Sequence, residues 1–163
     1  MYFAPPATLS VSLTILAVSG PGLLTSPAQV RYLTRAVLGW APSLREFSLR
    51  DSLCTGRVTK RGAYDALVPR LARLVKLAIN LCAVTNLADA LGPLSCLQAL
   101  SLLYDQVDPT EAVSAAEMVG VIHCSASLAM VSISTHLWGR WSELDQAAIE
   151  AAAARKAVRI EWG

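Results

Sequence analysis

Along this chain a unit recurs in which an apolar residue, two other positions, a second apolar residue, one other position and a third apolar residue follow in order. It stands as Leu44-x-x-Phe47-x-Leu49, Leu74-x-x-Leu77-x-Ile79, Leu97-x-x-Leu100-x-Leu102 and Leu128-x-x-Val131-x-Ile133. Shorter copies, Leu13-x-Ile15 and Val158-x-Ile160, lie toward the two ends and lack the leading leucine. Alternating apolar residues share one face of an extended chain, so each copy predicts a short strand with its triplet turned inward. The third apolar residues fall at 15, 49, 79, 102, 133 and 160, at intervals of 34, 30, 23, 31 and 27. Each interval has room for a helix and two turns.

The intervening segments carry helix signals. Ser26 before Pro27 is a cap with a first-turn proline, and predicts a helix over residues 27–38 stopped by Gly39. Tyr64, Leu67, Val68 and Leu71 have helical spacing, but Pro69 keeps that helix short or kinked. Residues 85–91 form a short helix closed by Gly92-Pro93. Asp108-Pro109-Thr110-Glu111 has the form of a capping box and predicts a helix reaching about His123. Ser142-x-x-Asp145 opens the last helix, whose alanine-rich tail runs through Ala154.

Strand followed by helix, repeated, predicts an α/β fold with a parallel sheet. A doubly wound sheet is disfavoured, because its central strands read as continuous Val/Ile runs rather than short strands of fixed spacing. No strand leads into a glycine-rich phosphate turn either. The pattern resembles the leucine-rich-repeat family, whose consensus reads LxxLxLxxN/CxL. Cys82 with Val84, and Asp105 with Val107, match its second half; Ser52 with Cys54 and His136 with Trp138 match it loosely. The long helix-bearing units resemble the ribonuclease-inhibitor-like class, and their uneven lengths are similar to fungal F-box leucine-rich-repeat proteins. The resemblance implies a solenoid with a parallel strand column on the concave side and helices on the convex side. Residues 1–163 are then a single domain of about five repeats, part of a larger solenoid. It also implies binding of other proteins rather than catalysis, as substrate recognition in an F-box-type ubiquitin ligase receptor. No Leu-Pro-rich F-box helix precedes the first repeat.

Composition adds a rival. Hydrophobic residues make up 54% and charged residues 16%, with mean hydropathy +0.46. Disorder is thereby excluded, and a small helical membrane protein built on residues 9–24, 72–104 and 118–139 becomes the alternative. The last of these has spanning length, yet it holds His123, Ser125, Ser127, Ser132, Ser134, Thr135 and His136, a heavy polar load for hydrocarbon. Residues 1–30 are free of charge and imitate a signal peptide, but have Pro5-Pro6 where a basic region belongs. No membrane partner is expected. Cys54, Cys82, Cys96 and Cys124 show no zinc spacing and are expected to be reduced and structural, Cys82 and Cys96 as small hydrophobes. That usage points to the cytoplasm or nucleus.

Charge is uneven: residues 31–76 balance to +7 and residues 77–163 to −5. The basic cluster Arg57, Lys60, Arg61, Arg70, Arg73 and Lys76 suits an acidic partner. Tyr64 alone among them offers a base-stacking ring, so no nucleic-acid partner is expected. The two histidines, His123 and His136, stand beside no nucleophile elbow, and the carboxylates are accounted for by helix starts. No catalytic, metal or cofactor site is therefore assigned. Trp138 is expected in the core, with Trp141 open between core and contact. The outward strand positions are Ser12, Thr14 and Leu16; Glu46, Ser48 and Arg50; Lys76, Ala78 and Asn80; Ala99, Ser101 and Leu103; Met130, Ser132 and Ser134; Ala157, Arg159 and Glu161. From these the candidate partner-binding set is Glu46, Ser48, Arg50, Lys76, Asn80, Ser101, Leu103, Ser132, Ser134 and Arg159, with Trp141 added. Its middle column is small and nearly uncharged, which lets a flat partner approach closely. With no polar capping unit at either end, self-association through the ends is expected.

Overall fold

Six short strands lie side by side in chain order in one parallel sheet: β1 (Ile15–Gly20), β2 (Glu46–Asp51), β3 (Lys76–Asn80), β4 (Ala99–Leu103), β5 (Met130–Ile133) and β6 (Arg159–Trp162). This is a computed structural model, and it describes residues 12–51, 61–103 and 113–163. Ser52, Cys54, Arg57, Lys60, Asp105, Val107 and the capping box expected at 108–111 lie outside the described residues.

The apolar triplets form the columns that their spacing predicts. Phe47, Leu77, Leu100 and Val131 are paired in register, and so are Leu49, Ile79, Leu102 and Ile133. All eight are buried, as are the leading Leu44, Leu74, Leu97 and Leu128. Burial at these positions is worth roughly 2 kcal/mol for each leucine.

Backbone bonds repeat with the same period. The carbonyl of Thr14 accepts from Arg45 N and Glu46 N, that of Arg45 from Val75 N and Lys76 N, that of Val75 from Gln98 N and Ala99 N, and that of Gln98 from Ala129 N and Met130 N. Serines before two leading leucines reinforce this step. Ser43 Oγ donates to Leu13 O at 2.9 Å and Ser127 Oγ to Leu97 O at 2.8 Å.

Both end strands depart from the expected register. Ile15 pairs with Glu46 and Leu16 with Phe47, so the true first triplet is Leu13-x-x-Leu16-x-Val18. Ile15 therefore points outward and is 60% exposed, while Thr14 and Leu16 are not face positions. At the other end Ile160 pairs with Val131 and Trp162 with Ile133, a two-residue slip from the expected alignment. Paired positions are then separated by 31, 30, 23, 31 and 29 residues, more even than the sequence intervals.

Among the described residues five α-helices accompany the strands. α1 (Pro27–Trp40) is capped by Ser26, whose side chain accepts from Gln29 N, and it passes Gly39 to end at Ala41, just before Pro42. The Tyr64–Leu71 segment becomes turns and a 3-10 piece at Val68–Arg70, with Tyr64, Leu67, Val68 and Leu71 all buried. α2 (Leu87–Leu91) starts two residues later than expected, behind an Asn86 cap. α3 (Ala115–Cys124) starts at a Ser114 cap, later than the expected 108–111 box. α4 (Thr135–Trp138) is a single turn, and α5 (Glu143–Lys156) carries the Ser142/Asp145 capping box. α2 packs on α3 and α3 on α5, and their apolar sides close one core with the inward strand residues. Among the described residues, no helix is long and apolar enough to cross a membrane. The stretch 118–139 is divided among α3, β5 and α4.

α5 ends on Ala157 at φ 55°, a left-handed conformation that costs an L-residue about 1 kcal/mol. Its N–H and that of Val158 close the helix on the Ala154 and Ala153 carbonyls. Ala157→Gly is therefore expected to stabilise the fold by about 0.5–1 kcal/mol, read as a raised urea midpoint.

Candidate interaction face

The outward strand residues make three columns. The first runs Ile15, Glu46, Lys76, Ala99, Met130, Arg159, and the second Ala17, Ser48, Ala78, Ser101, Ser132, Glu161. The third holds Ser19, Arg50, Asn80 and Leu103. Strand alternation alone places them together, because every neighbour is parallel and in register. A shallow hollow of about 330 Å³ crosses this face from β1 to β5. Its floor is Ala17, Ser48, Ala78, Ala99 and Ser101, with Ile15 and Met130 at its sides.

Charge on the face is arranged in pairs. Lys76 Nζ lies 3.0 Å from Glu46 Oε1 across the β2–β3 step, and Arg159 Nη2 lies 2.7 Å from Glu161 Oε1 on β6. Both pairs are well exposed and contribute little to stability. Arg159 also reaches Met130 Sδ at 3.4 Å. Arg50 is exposed in the third column.

Of the residues expected to form the face, Glu46, Ser48, Arg50, Lys76, Ser101, Leu103, Ser132 and Arg159 are brought together there with accessible surface. Three are placed otherwise. Asn80 is on the face by parity but fully buried, its Oδ1 accepting from Asp51 N at 2.9 Å. Ser134 serves as the cap of α4, accepting from Leu137 N at 3.2 Å. Trp141 lies off the sheet and is buried, its indole Nε1 donating to Val113 O at 3.0 Å. A Trp there meets its hydrogen-bonding need inside the protein, and the indole is spent on packing. Ile15, Ala17 and Ser19 are face residues that the sequence reading missed. The signal was present as Leu13-x-x-Leu16-x-Val18.

Other candidate chemistry is dispersed. Arg61 Nη2 bonds Glu117 Oε1 at 3.3 Å, Lys76 bonds Glu46 on the strand face, and Arg73 Nη1 donates to Pro42 O at 3.3 Å. Three of the four described members of the basic cluster thus serve three different environments. His123 and His136 are exposed, on α3 and α4 respectively. Cys82 is buried as expected, but Cys96 is exposed rather than packed in an apolar run. Cys124 is half-buried; burial pushes its thiol above its ordinary pKa, and Sγ donates to Val121 O at 3.2 Å. Among the described residues no group of three His, Cys, Asp or Glu is placed to hold a metal ion. Compared with family models, characterised proteins and solved structures, the chain matches none of them.

Proposed function

We propose that the chain is a leucine-rich-repeat-type solenoid whose open strand face binds other proteins. What carries this reading is the second column: Ala17, Ser48, Ala78, Ser101 and Ser132 succeed one another in register, small and uncharged as far as Glu161 on β6, along a face where, among the described residues, only strand residues line the hollow. Small side chains admit a partner's backbone at close range, and the paired charges of Glu46/Lys76 and Arg159/Glu161 at its margins supply orientation. The repeating carbonyl steps and the 31, 30, 23, 31 and 29-residue spacing support the repeat reading. In this reading an F-box-type receptor would use the same face for its substrates, inside the cell.

The test is partner capture in intact cells with three forms of the chain. Ala78→Arg/Ser101→Arg places two large cations in the hollow; Glu150→Arg changes an exposed helix position instead. Partners retained by Glu150→Arg and lost by the double variant, with circular dichroism unchanged in both, are the expected result. An identical set of partners from all three forms would remove the face from consideration.

A further inference from the structure

Because all six strands are parallel, every segment that leads into a strand arrives at the same rim of the sheet. Residues 12–14, 41–45, 71–75, 92–98, 125–129 and 157–158 are these segments, and none of them contains Asp or Glu. Their charges are Arg45 and Arg73, and the turns that feed them end in Arg70 and in Arg155 with Lys156. Carboxylates gather toward the opposite rim, where strands end and helices begin. Asp51 ends β2, and Asp89, Glu117, Glu143 and Asp145 lie in the first turns of α2, α3 and α5.

The cations of the first rim are positioned without being neutralised. Arg45 Nη1 donates to Arg73 O at 3.5 Å and Arg73 Nη1 to Pro42 O at 3.3 Å, so the two side chains cross between neighbouring units. Arg155 Nε donates to Ala151 O at 3.2 Å, and Lys156 Nζ to His123 O at 3.3 Å on α3. Every acceptor here is an uncharged carbonyl. Among the described residues none of Arg45, Arg70, Arg73, Arg155 and Lys156 forms an ion pair, and Glu46 at the start of β2 is engaged by Lys76. Arg45 is half-buried and the other four are exposed.

We propose that this rim binds an acidic polypeptide segment of another protein, whose carboxylates supply the counter-charge. The cations stand before β2 and β3 at one end and before β6 at the other, three to four strand steps apart, about 14–19 Å at the ordinary strand spacing. An extended chain covers that distance in about five or six residues. The connections between, 92–98 and 125–129, carry no charge and so do not oppose the middle of such a segment. Charge divided in this way suits several carboxylates along a chain; a single phosphate needs its arginines converging on one point. None of the exposed large apolar residues Ile15, Tyr32, Leu144 and Trp162 lies in these segments, so the rim offers no wedge for a bilayer and no ring for stacking on bases. The rim is separate from the hollow, and its outcome does not depend on the reading of that face.

The experiment is fluorescence anisotropy of a labelled hexaglutamate peptide titrated with the full chain at low salt, with labelled hexaglutamine as the neutral control. Binding of hexaglutamate alone is expected. Arg45→Gln/Arg73→Gln and Arg155→Gln/Lys156→Gln should each weaken it about tenfold, with circular dichroism unchanged. Arg31→Gln/Arg35→Gln removes as many charges from exposed positions on α1 and should shift the affinity by less than about twofold. Should Arg45→Gln/Arg73→Gln lose its circular dichroism spectrum, Arg70→Gln on an exposed side chain replaces it, with about a threefold loss expected. A wild-type chain that ignores hexaglutamate, affinity that survives either rim variant, or an equal loss in the α1 variant would each overturn the proposal. So would tighter binding of hexathymidylate, or of phosphatidylserine vesicles, through the same rim residues.

Discussion

Replacing Asp51 by alanine is expected to lower the unfolding free energy by about 3 kcal/mol, measured by urea denaturation. Asp51 is 1% exposed at the end of β2, and its carboxylate accepts from Gly22 N at 3.1 Å and Leu24 N at 2.8 Å. These donors belong to the loop after β1, where Gly22 adopts φ 78° and its own N–H, with that of Leu24, turns to the carboxylate. Alanine leaves two backbone donors without an acceptor, and the loss exceeds that of a surface carboxylate for that reason. Asp51→Asn keeps one accepting oxygen and is expected to lose about half as much.

Tyr64 supplies an independent readout of the same loop. Its hydroxyl donates to Leu23 O at 2.6 Å. Burial, and after it the Asp51 carboxylate, push its pKa up to about 12. An unfolded tyrosine releases its proton near pH 10. Between about pH 10 and about pH 12 the folded chain holds a proton that the unfolded chain has lost, so stability falls as pH rises through that window. In Asp51→Asn one of the two causes is gone and burial remains, so Tyr64 should ionise at lower pH than in wild type yet still above its ordinary value. An alanine variant as stable as wild type, or a tyrosine titration unmoved by Asp51→Asn, would contradict this account.

The interior of the sheet is legible from sequence because each inner strand has its triplet sealed between two like neighbours. Phe47, Leu77 and Leu100 have no other place to go. The ends obey a weaker rule. At β1 both Leu13/Ile15 and Leu16/Val18 alternate, and alternation by itself does not choose between opposite faces; a one-residue slip exchanges them. The partner strand decides it, through Leu16 opposite Phe47. At β6 the slip is two residues, which preserves the faces but moves Trp162 to the place expected for Ile160. The left-handed turn at Ala157 ends α5 and sets that start point, a backbone feature with no glycine to advertise it. The buried position of Trp141 was illegible for a different reason. It depends on the carbonyl of Val113, 28 residues earlier in the chain and brought near only by stacking. Glu117 shows the same limit. Ser114-x-x-Glu117 has the form of a capping box, and Ser114 does accept from Glu117 N at 3.1 Å. The glutamate side chain, however, is committed to two groups on other units.

That commitment gives the second large expected effect. Glu117 Oε1 lies 3.3 Å from Arg61 Nη2, a residue 56 positions away, and also accepts from Leu87 N at 3.0 Å in the first turn of α2. Arg61 and Glu117 keep only 19% and 16% of their side-chain surface, and Arg61 Nε is buried with no acceptor among the described residues. Glu117→Ala leaves a poorly solvated guanidinium without its counter-charge and orphans an N–H at a helix start, so a loss of about 3 kcal/mol is expected. Glu117→Gln retains an oxygen for Leu87 but no charge, and should fall between. The sharper measurement is the pair removed together. Arg61→Met/Glu117→Leu takes away both charges with their desolvation cost and is expected to come within about 1 kcal/mol of wild type, far from the sum of the single losses. If urea midpoints for the double variant instead add the two single losses, the ion pair and its burial are not what couples the second and fourth units. Rescue by the apolar pair would mean that the link is held in place by the cost of breaking it, with little net gain from forming it.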